Sequence, residues 1–287
     1  MNILVTGANG QLGRSIRKAS KNSRDNYFFT DIENLDITDA SAVEEYVKSN
    51  NIEVIVNCAA YTNVDAAEDN EQLAEKLNGE APGILANAVK MNGGFLIHIS
   101  TDYVFGGSGK NTPLDEAQPP SPTGIYGITK LHGEEKVKNS GINYLIFRTA
   151  WLYSDYGNNF ITKILSLLDN RDAVKVVFDQ CGTPTYAADL AEAIVSILNH
   201  RKHSQHPGIY HYSNEGVCSW YDFASAAVSL SGIKNKKVLP CHSSEFPSKV
   251  IRPPYSVLDK SKFKETFGIE IPNWHDSLET CIKHLEK

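Results

Sequence analysis

Long hydrophobic runs are missing from this sequence. The most apolar segment, Val54-Ile55-Val56-Asn57-Cys58-Ala59-Ala60, falls far short of the ~20 residues that cross a bilayer as a helix, so no membrane span and no membrane partner is expected. An excess of positive charge is also missing: 28 Lys and Arg stand against 34 Asp and Glu, a net charge of −6. Such a chain is not built to neutralise nucleic-acid phosphates, and any anionic ligand has to be bound locally. Cysteine is scarce. The five present (Cys58, Cys181, Cys218, Cys241, Cys281) are odd in number, scattered and never in a C-x-x-C pair, which excludes a disulfide framework and leaves reduced, packed thiols as the expectation. His200, His203 and His206 recur every third residue among Asn199, Arg201, Lys202 and Pro207. With no acidic or Cys ligand beside them, they read as a solvated loop rather than a metal site. The strand-like run opening at Asn2 leaves no room for a secretory leader, so the cytoplasm is the expected compartment.

What the sequence does have is 41% apolar residues in 287, enough for a substantial core, arranged as short apolar runs alternating with helical patterns. That alternation is the signature of βα units and a parallel sheet. Strands are expected near residues 2–6, 26–30, 53–58, 95–100 and 143–148. Helices are expected near 11–20, 39–50, 66–91 (broken around Gly79 and Pro82) and 123–139. The Gly/Pro-rich stretch 106–122 is too long for a simple connection and reads as a substrate-side loop. Beyond Thr149 the alternation weakens, with helices near 158–169, 187–199, 219–231 and 275–286 and short strands near 174–178 and 208–212. This second part reads as a smaller lobe interleaved with the first.

The first strand runs into Gly7-Ala8-Asn9-Gly10-Gln11-Leu12-Gly13. A G-x-x-G-x-x-G pattern between strand and helix has a physical purpose. Gly7 permits a tight turn, Gly10 lets the backbone approach a pyrophosphate, and Gly13 lets helix and strand pack closely. The N–H groups of Gln11 and Leu12 then face the phosphates from a helix N-terminus. Asp31, about 20 residues on, stands where an acidic residue accepts from the adenosine ribose hydroxyls, which favours NAD over NADP. Arg14 keeps NADP open, because a guanidinium there accommodates a 2′-phosphate. Asp36 and Ile37 fit an adenine site, and a helix N-cap explains the acidic segment Asp36-Ile37-Thr38-Asp39 equally well.

Tyr126-Gly127-Ile128-Thr129-Lys130 sets a phenol and an ammonium four apart, on one face of a helix start. A neighbouring cation lowers a phenol's pKa by ~1–3 units, so Lys130 together with a cationic nicotinamide is expected to bring Tyr126 toward working pH. In isolation, a packed Tyr with a solvated Lys neighbour is the more ordinary reading. Ser100-Thr101-Asp102-Tyr103 changes the balance, because it ends the fourth strand, where ligands of open parallel sheets bind. Thr101 then shares a substrate oxygen with Tyr126.

With these residues in view, the sequence resembles the extended short-chain dehydrogenase/reductase superfamily and, within it, the dTDP-4-dehydrorhamnose reductase family. The matching stretches span nearly the whole chain: GANGQLG at 7–13, VIVNCAAYTNVDAAE at 54–68, STDYVF at 100–105, YGITK at 126–130, FRTAWLY at 147–153, GNNF at 157–160, DQCGTPTYAADLA at 179–191 and RPPYSVLD at 252–259. The resemblance implies an α/β fold: a Rossmann-type doubly wound parallel sheet over residues 1–150 that binds NAD(P), and a smaller C-terminal α/β substrate lobe over 151–287. It implies an enzyme that reduces the C4 keto group of dTDP-4-dehydro-L-rhamnose with NADH or NADPH. Tyr126 is then the proton donor, Lys130 holds the nicotinamide ribose, and Thr101 assists at the carbonyl. Cofactor contacts are implied at Gly7, Gly10, Gln11, Leu12, Gly13, Asp31, Asp36, Ile37, Ala59, Ala60, Tyr61 and Lys130. Sugar-nucleotide contacts are implied at Thr101, Asp102, Tyr103, Tyr126 and Trp151, with Asn158, Asn159 and Arg252 as weaker candidates. Trp151 has a core residue as its competing reading, the asparagines a helix cap, and Arg252 an ion pair.

A monomer or homodimer is expected, with Mg²⁺ at a dimer interface as one possibility for which Glu279 and Glu286 are available; ordinary solvated helix charges explain both. Two other functions stay open. One is a nucleotide-sugar epimerase or 4,6-dehydratase, opposed by Tyr103 standing where those dehydratases carry a second acidic residue. The other is a non-catalytic subunit resembling the regulatory partner of methionine adenosyltransferase.

Overall fold

The computed structural model describes residues 1–246 and 248–285. The chain begins β1 (Asn2–Thr6), α1 (Gln11–Ala19), β2 (Asn26–Thr30), α2 (Ala40–Ser49) and β3 (Val54–Asn57). Short α3 (Val64–Ala67) and α4 (Glu71–Ala74) lead into α5 (Ala81–Lys90) and β4 (Phe95–Thr101), followed by α6 (Ile125–Asn139) and β5 (Asn143–Thr149). After β6 (Leu152–Tyr153) come α7 (Phe160–Asp169), β7 (Ala173–Val177), β8 (Cys181–Gly182), β9 (Thr185–Tyr186) and α8 (Ala187–Asn199). The rest comprises β10 (Gly208–His211), β11 (Cys218–Ser219), α9 (Trp220–Leu230), β12 (Lys237–Cys241), α10 (Ser261–Phe267) and α11 (Trp274–Leu285).

Six parallel strands form one sheet in the order β10-β5-β4-β3-β1-β2. Successive residues of a strand face opposite ways, so continuous apolar runs feed two layers. Ile3, Val5, Val54, Val56, Ile97 and Phe147 pack with α1, α8 and α10 on one face. Leu4, Ile55, Leu96 and Ile146 pack with α2, α5 and α6 on the other. Connections run outward in both directions from the gap between β1 and β3, so the crevice at their carboxyl ends is the place for a ligand.

Although they lie past residue 150, α8 and β10 belong to this main layer, with α8 packed on α1 and β10 in register with β5 from Gly208↔Leu145 to His211↔Arg148. A separate apolar cluster gathers α7, α9 and α11 around Phe223, whose ring meets Tyr153 at 5.0 Å and Trp274 at 5.9 Å.

Three local expectations are corrected. The helical segment 66–91 breaks at 68–70, not at Gly79 and Pro82: from Glu71 to Lys90 it is continuous, with a π-helical stretch over Glu75–Glu80. Pro82 has no N–H for the carbonyl of residue 78, and a wider turn there absorbs the loss without ending the helix. Residues 106–122 do not form a substrate-side loop; none of them lines the cleft described below. Leu114 is buried against Val104, Phe105 and Leu258, and the Glu116 carboxylate accepts from the His211 N–H at 2.8 Å, capping the exposed edge of β10. His203 is not solvated: it is buried, with its ring edge-to-face on Phe95 at 5.1 Å.

Candidate active site

At the carboxyl ends of β1, β3, β4 and β5 lies a cleft of about 920 Å³, at the upper end of the range for small-molecule sites. The glycine turn forms one wall. Gly7 has φ +63°, and a Cβ on it would stand 2.7 Å from the Ala59 backbone nitrogen. A Cβ on Gly13 would stand 2.4 Å from the Gly7 carbonyl oxygen, whereas one on Gly10 would keep 3.3 Å from the same atom. The first and third glycines are therefore demanded by packing. Gly10 is the extended N-cap of α1 and leaves the helix N-terminus open to the cleft.

Gly7, Gly10, Gln11, Leu12, Asp31, Ile37, Ala59 and Ala60 all line this wall; Gly13, Asp36 and Tyr61 do not. Gly13 lies beneath the turn. Asp36 is consumed locally: its carboxylate accepts from the N–H and hydroxyl of Thr38, which holds its pKa below the ordinary carboxylate value. The α2 N-cap is Asp39, which accepts from Ala42. Tyr61 is tied through its backbone N–H and carbonyl to the Asn78 amide. Asp31 accepts from the Asn9 N–H at 2.8 Å and the Ile32 N–H at 2.9 Å, fixing the glycine turn against β2. Arg14 lies over the Tyr156 ring, 4.3 Å from its centroid.

Thr101, Asp102, Tyr103, Tyr126 and Lys130 meet on the cleft floor. The Thr101 hydroxyl donates to Asp102 Oδ1 at 3.0 Å and accepts from the Tyr103 N–H at 3.2 Å. Asp102 is buried, which pushes its pKa up to about 6 even though the Ser256 and Thr101 hydroxyls favour its charge. The Tyr103 and Tyr126 rings meet edge-to-face at 5.4 Å. Burial also pushes the Tyr126 phenol above its usual value; Asp102 and Tyr103 add to the shift and the Thr101 hydroxyl opposes it. Lys130 by itself does not lower the phenol. The Lys130 ammonium instead donates to the Ile99 carbonyl at 2.6 Å, and burial lowers its pKa to about 8, with Glu134 and Cys58 acting in the opposite direction. A fully protonated phenol is nonetheless a proton reservoir at neutral pH.

Trp151, Asn158 and Arg252 line the far wall, joined by Trp220. The indoles of Trp151 and Trp220 stack with centroids 3.6 Å apart and planes at 12°. Trp151 has φ +49°, a left-handed conformation that strains a bulky residue and that is found preferentially where function requires it. Arg252 donates to Asp65 at 2.9 Å, so the ion pair anticipated for it exists beside the cleft. Asn159 caps α7, accepting from the Ile161 and Thr162 N–H groups in a capping box, and is not among the lining residues. Trp220 escaped notice in the sequence because its signal, an aromatic at the first position of a helix, is indistinguishable from core packing.

Among the described residues no group of three or more His, Cys, Asp or Glu side chains is disposed to hold a metal. Glu279 is paired with Lys283 on α11, and Glu286 lies outside the described residues. No described helix is long and apolar enough to cross a membrane. The five cysteines are free thiols.

A parallel sheet with a glycine turn after its first strand and a Tyr-x-x-x-Lys helix facing Thr101 defines the short-chain dehydrogenase/reductase class. Comparison with known proteins narrows it. The profile of the RmlD substrate binding domain matches residues 1–287. A dTDP-4-dehydrorhamnose reductase of Burkholderia thailandensis is 37% identical, with 99% of each chain covered. The crystal structure of a dTDP-4-dehydrorhamnose reductase from Clostridium acetobutylicum is 42% identical, covers 100% of both chains and superposes with a TM-score of 0.95. That of the Bacillus anthracis enzyme, in complex with NADP, is 38% identical over 98% of both chains, with a TM-score of 0.92. The chain belongs to the dTDP-4-dehydrorhamnose reductase family.

Proposed function

We infer that this chain reduces the C4 keto group of dTDP-4-dehydro-L-rhamnose to give dTDP-L-rhamnose, using a nicotinamide dinucleotide. The observation that carries this reading is that Thr101, Tyr126 and Lys130 line the same cleft as Gly7, Gly10 and Asp31. The wall fits a dinucleotide on its own terms. Gly10 carries no Cβ where a pyrophosphate would lie, and the α1 N-terminus turns its N–H groups toward that place.

A bound reduced nicotinamide supplies the hydride for the C4 carbon. The protein supplies everything else. Tyr126 presents its hydroxyl to the carbonyl oxygen and gives up its proton as negative charge develops there, and Thr101 assists by turning its single hydroxyl proton from Asp102 to that oxygen. Lys130 holds ribose hydroxyls and offsets the charge left on the phenolate. The stacked pair Trp151 and Trp220 forms an apolar plate for the deoxysugar, and Arg252, Tyr103 and Asn158 face the rest of the nucleotide sugar. Gln11, Leu12, Ile37, Ala59 and Ala60 enclose the dinucleotide.

NADH is the better-fitting reductant. The Asp31 carboxylate suits free ribose hydroxyls and repels a 2′-phosphate, and Arg14 is engaged with the Tyr156 ring. The test follows NADH and NADPH oxidation separately with the keto sugar generated in situ. Turnover with a lower KM for NADH supports the reading, and absence of turnover with both cofactors removes it.

A further inference from the structure

Beneath the cleft, on the sheet side of Lys130, a line of polar groups crosses three strands. Thr6 donates its hydroxyl to Asn57 Oδ1 at 2.7 Å, and the Ala59 N–H donates to the same oxygen at 3.2 Å. Asn57 Nδ2 stands 3.1 Å from His98 Nδ1, and His98 Nε2 stands 3.5 Å from Lys130 Nζ. Thr6, Asn57, His98 and Lys130 are all buried, and the first three do not line the cleft.

The proton positions in this line follow from its fixed donors. A backbone N–H only donates, so the Asn57 oxygen must face Ala59 and its amide nitrogen must face His98. An amide nitrogen only donates, so His98 Nδ1 carries a lone pair. A neutral imidazole with a bare Nδ1 bears its proton on Nε2. That N–H therefore points at Lys130, whose ammonium is itself donor-only and already gives a hydrogen bond to Ile99.

We propose that His98 is a positioning residue for Lys130: its Nε2–H, locked by Asn57, denies the ammonium any acceptor in the sheet beyond the Ile99 carbonyl and directs its remaining N–H groups to the cleft, where the ribose hydroxyls of a dinucleotide supply acceptors. The inference rests on reading the cleft as a nicotinamide site. The surroundings leave this donor unopposed. Glu134, one turn along α6, is committed to Arg148 and Ser100. Cys58, at the end of β3, has its thiol pushed up to about 12 by burial, and Tyr126 is likewise kept protonated. His98 itself is held well below its usual pKa, first by burial and then by Lys130, so it stays neutral.

The first test uses the full chain labelled with ¹⁵N-histidine, with His98 assigned by the signal lost in His98→Gln. Two-bond ¹H–¹⁵N correlations are expected to show a neutral ring protonated on Nε2 from pH 6 to 9. A proton on Nδ1, or a cationic ring, overturns the proposal whether or not the enzyme turns over the keto sugar. The second test is the pH profile of kcat/KM. Lys130 acts as a cation, so activity falls as pH rises through its pKa. Asn57→Leu frees His98 to change tautomer and accept from the ammonium, which moves that alkaline limb upward by about one unit. His98→Gln, with its oxygen toward Asn57 and its nitrogen toward Lys130, keeps the limb in place. An unmoved limb in Asn57→Leu, or equal shifts in both variants, overturns the proposal. No turnover in the unaltered enzyme removes the reductase reading and leaves the tautomer measurement to decide.

Discussion

Trp151 and Trp220, 69 positions apart in sequence, stack face to face with ring centroids 3.6 Å apart, and a Cβ on Gly182 would fall 2.7 Å from the Trp151 ring. One indole hangs from the end of β5 and the other opens α9, so the plate they form joins the main sheet to the second cluster of helices. Aromatic pairs contribute ~0.5–1.5 kcal/mol beyond the area they bury. Trp220→Ala is therefore expected to raise KM for the nucleotide sugar about 3- to 10-fold with little change in cofactor affinity, a split that steady-state kinetics reads directly. The left-handed backbone of Trp151 gives a second signature: Trp151→Gly should be more stable than Trp151→Ala by about 1 kcal/mol in denaturant melts, although glycine is ordinarily the worse substitution.

The glycine turn predicts a ranked series. Gly13→Ala puts a methyl 2.4 Å from the Gly7 carbonyl oxygen, backbone against backbone, while Gly10→Ala meets the same atom at 3.3 Å. The first should lose folding stability and cofactor binding together. The second should fold and weaken dinucleotide binding selectively. Thermal melts with and without NADH separate the two effects.

Glu134 and Arg148 form a buried, two-pronged ion pair at 2.9 and 2.7 Å, and Glu134 also accepts from Ser100 at 2.6 Å. It pins α6, which carries Tyr126 and Lys130, to β5. Removing one partner of such a pair costs about 3–5 kcal/mol because the other charge is left buried and alone. Glu134→Ala should be destabilised by that amount in urea, whereas the double variant Glu134→Leu with Arg148→Met should recover much of the loss.

Asp102 predicts a pH dependence with a definite sign. Its folded pKa of about 6 lies above the ordinary aspartate value of 3.8, so the folded state binds this proton more tightly than the unfolded one. The group's contribution is most favourable below pH 4 and is lost as pH rises from about 4 to about 6, by on the order of 2–3 kcal/mol. Asp102→Asn removes the titration and keeps an oxygen for Thr101. It should be the more stable protein at pH 7, and the advantage should vanish near pH 4, as chemical denaturation at the two pH values will show.

Those groups whose roles are local were the ones legible in the sequence. Continuous apolar runs such as Val54–Val56 feed both faces of a parallel sheet, and the glycine turn and Tyr126/Lys130 pair are each complete within one short segment. What was not legible depends on partners far along the chain. Pro82 reads as a helix breaker until the π-helical stretch preceding it is seen. His203 reads as solvated from Arg201 and Lys202, yet Phe95 buries it. The loop 106–122 reads as substrate-side, but Leu114 finds its place only against Leu258. Asn57 and His98 sit in strands where alternation alone would assign them to packing, and only the sheet register that pairs them shows Asn57 holding the ring that faces Lys130.

The central claim is tested most directly by Tyr126→Phe, which removes one oxygen from a helix position and leaves the cofactor wall intact. With the 4-keto nucleotide sugar and NADH, turnover should fall ~10²- to 10⁴-fold while the dissociation constant for NADH changes little. Turnover in Tyr126→Phe comparable to that of the unaltered enzyme would contradict the assignment of Tyr126 as proton donor and, with it, the account of how this cleft works.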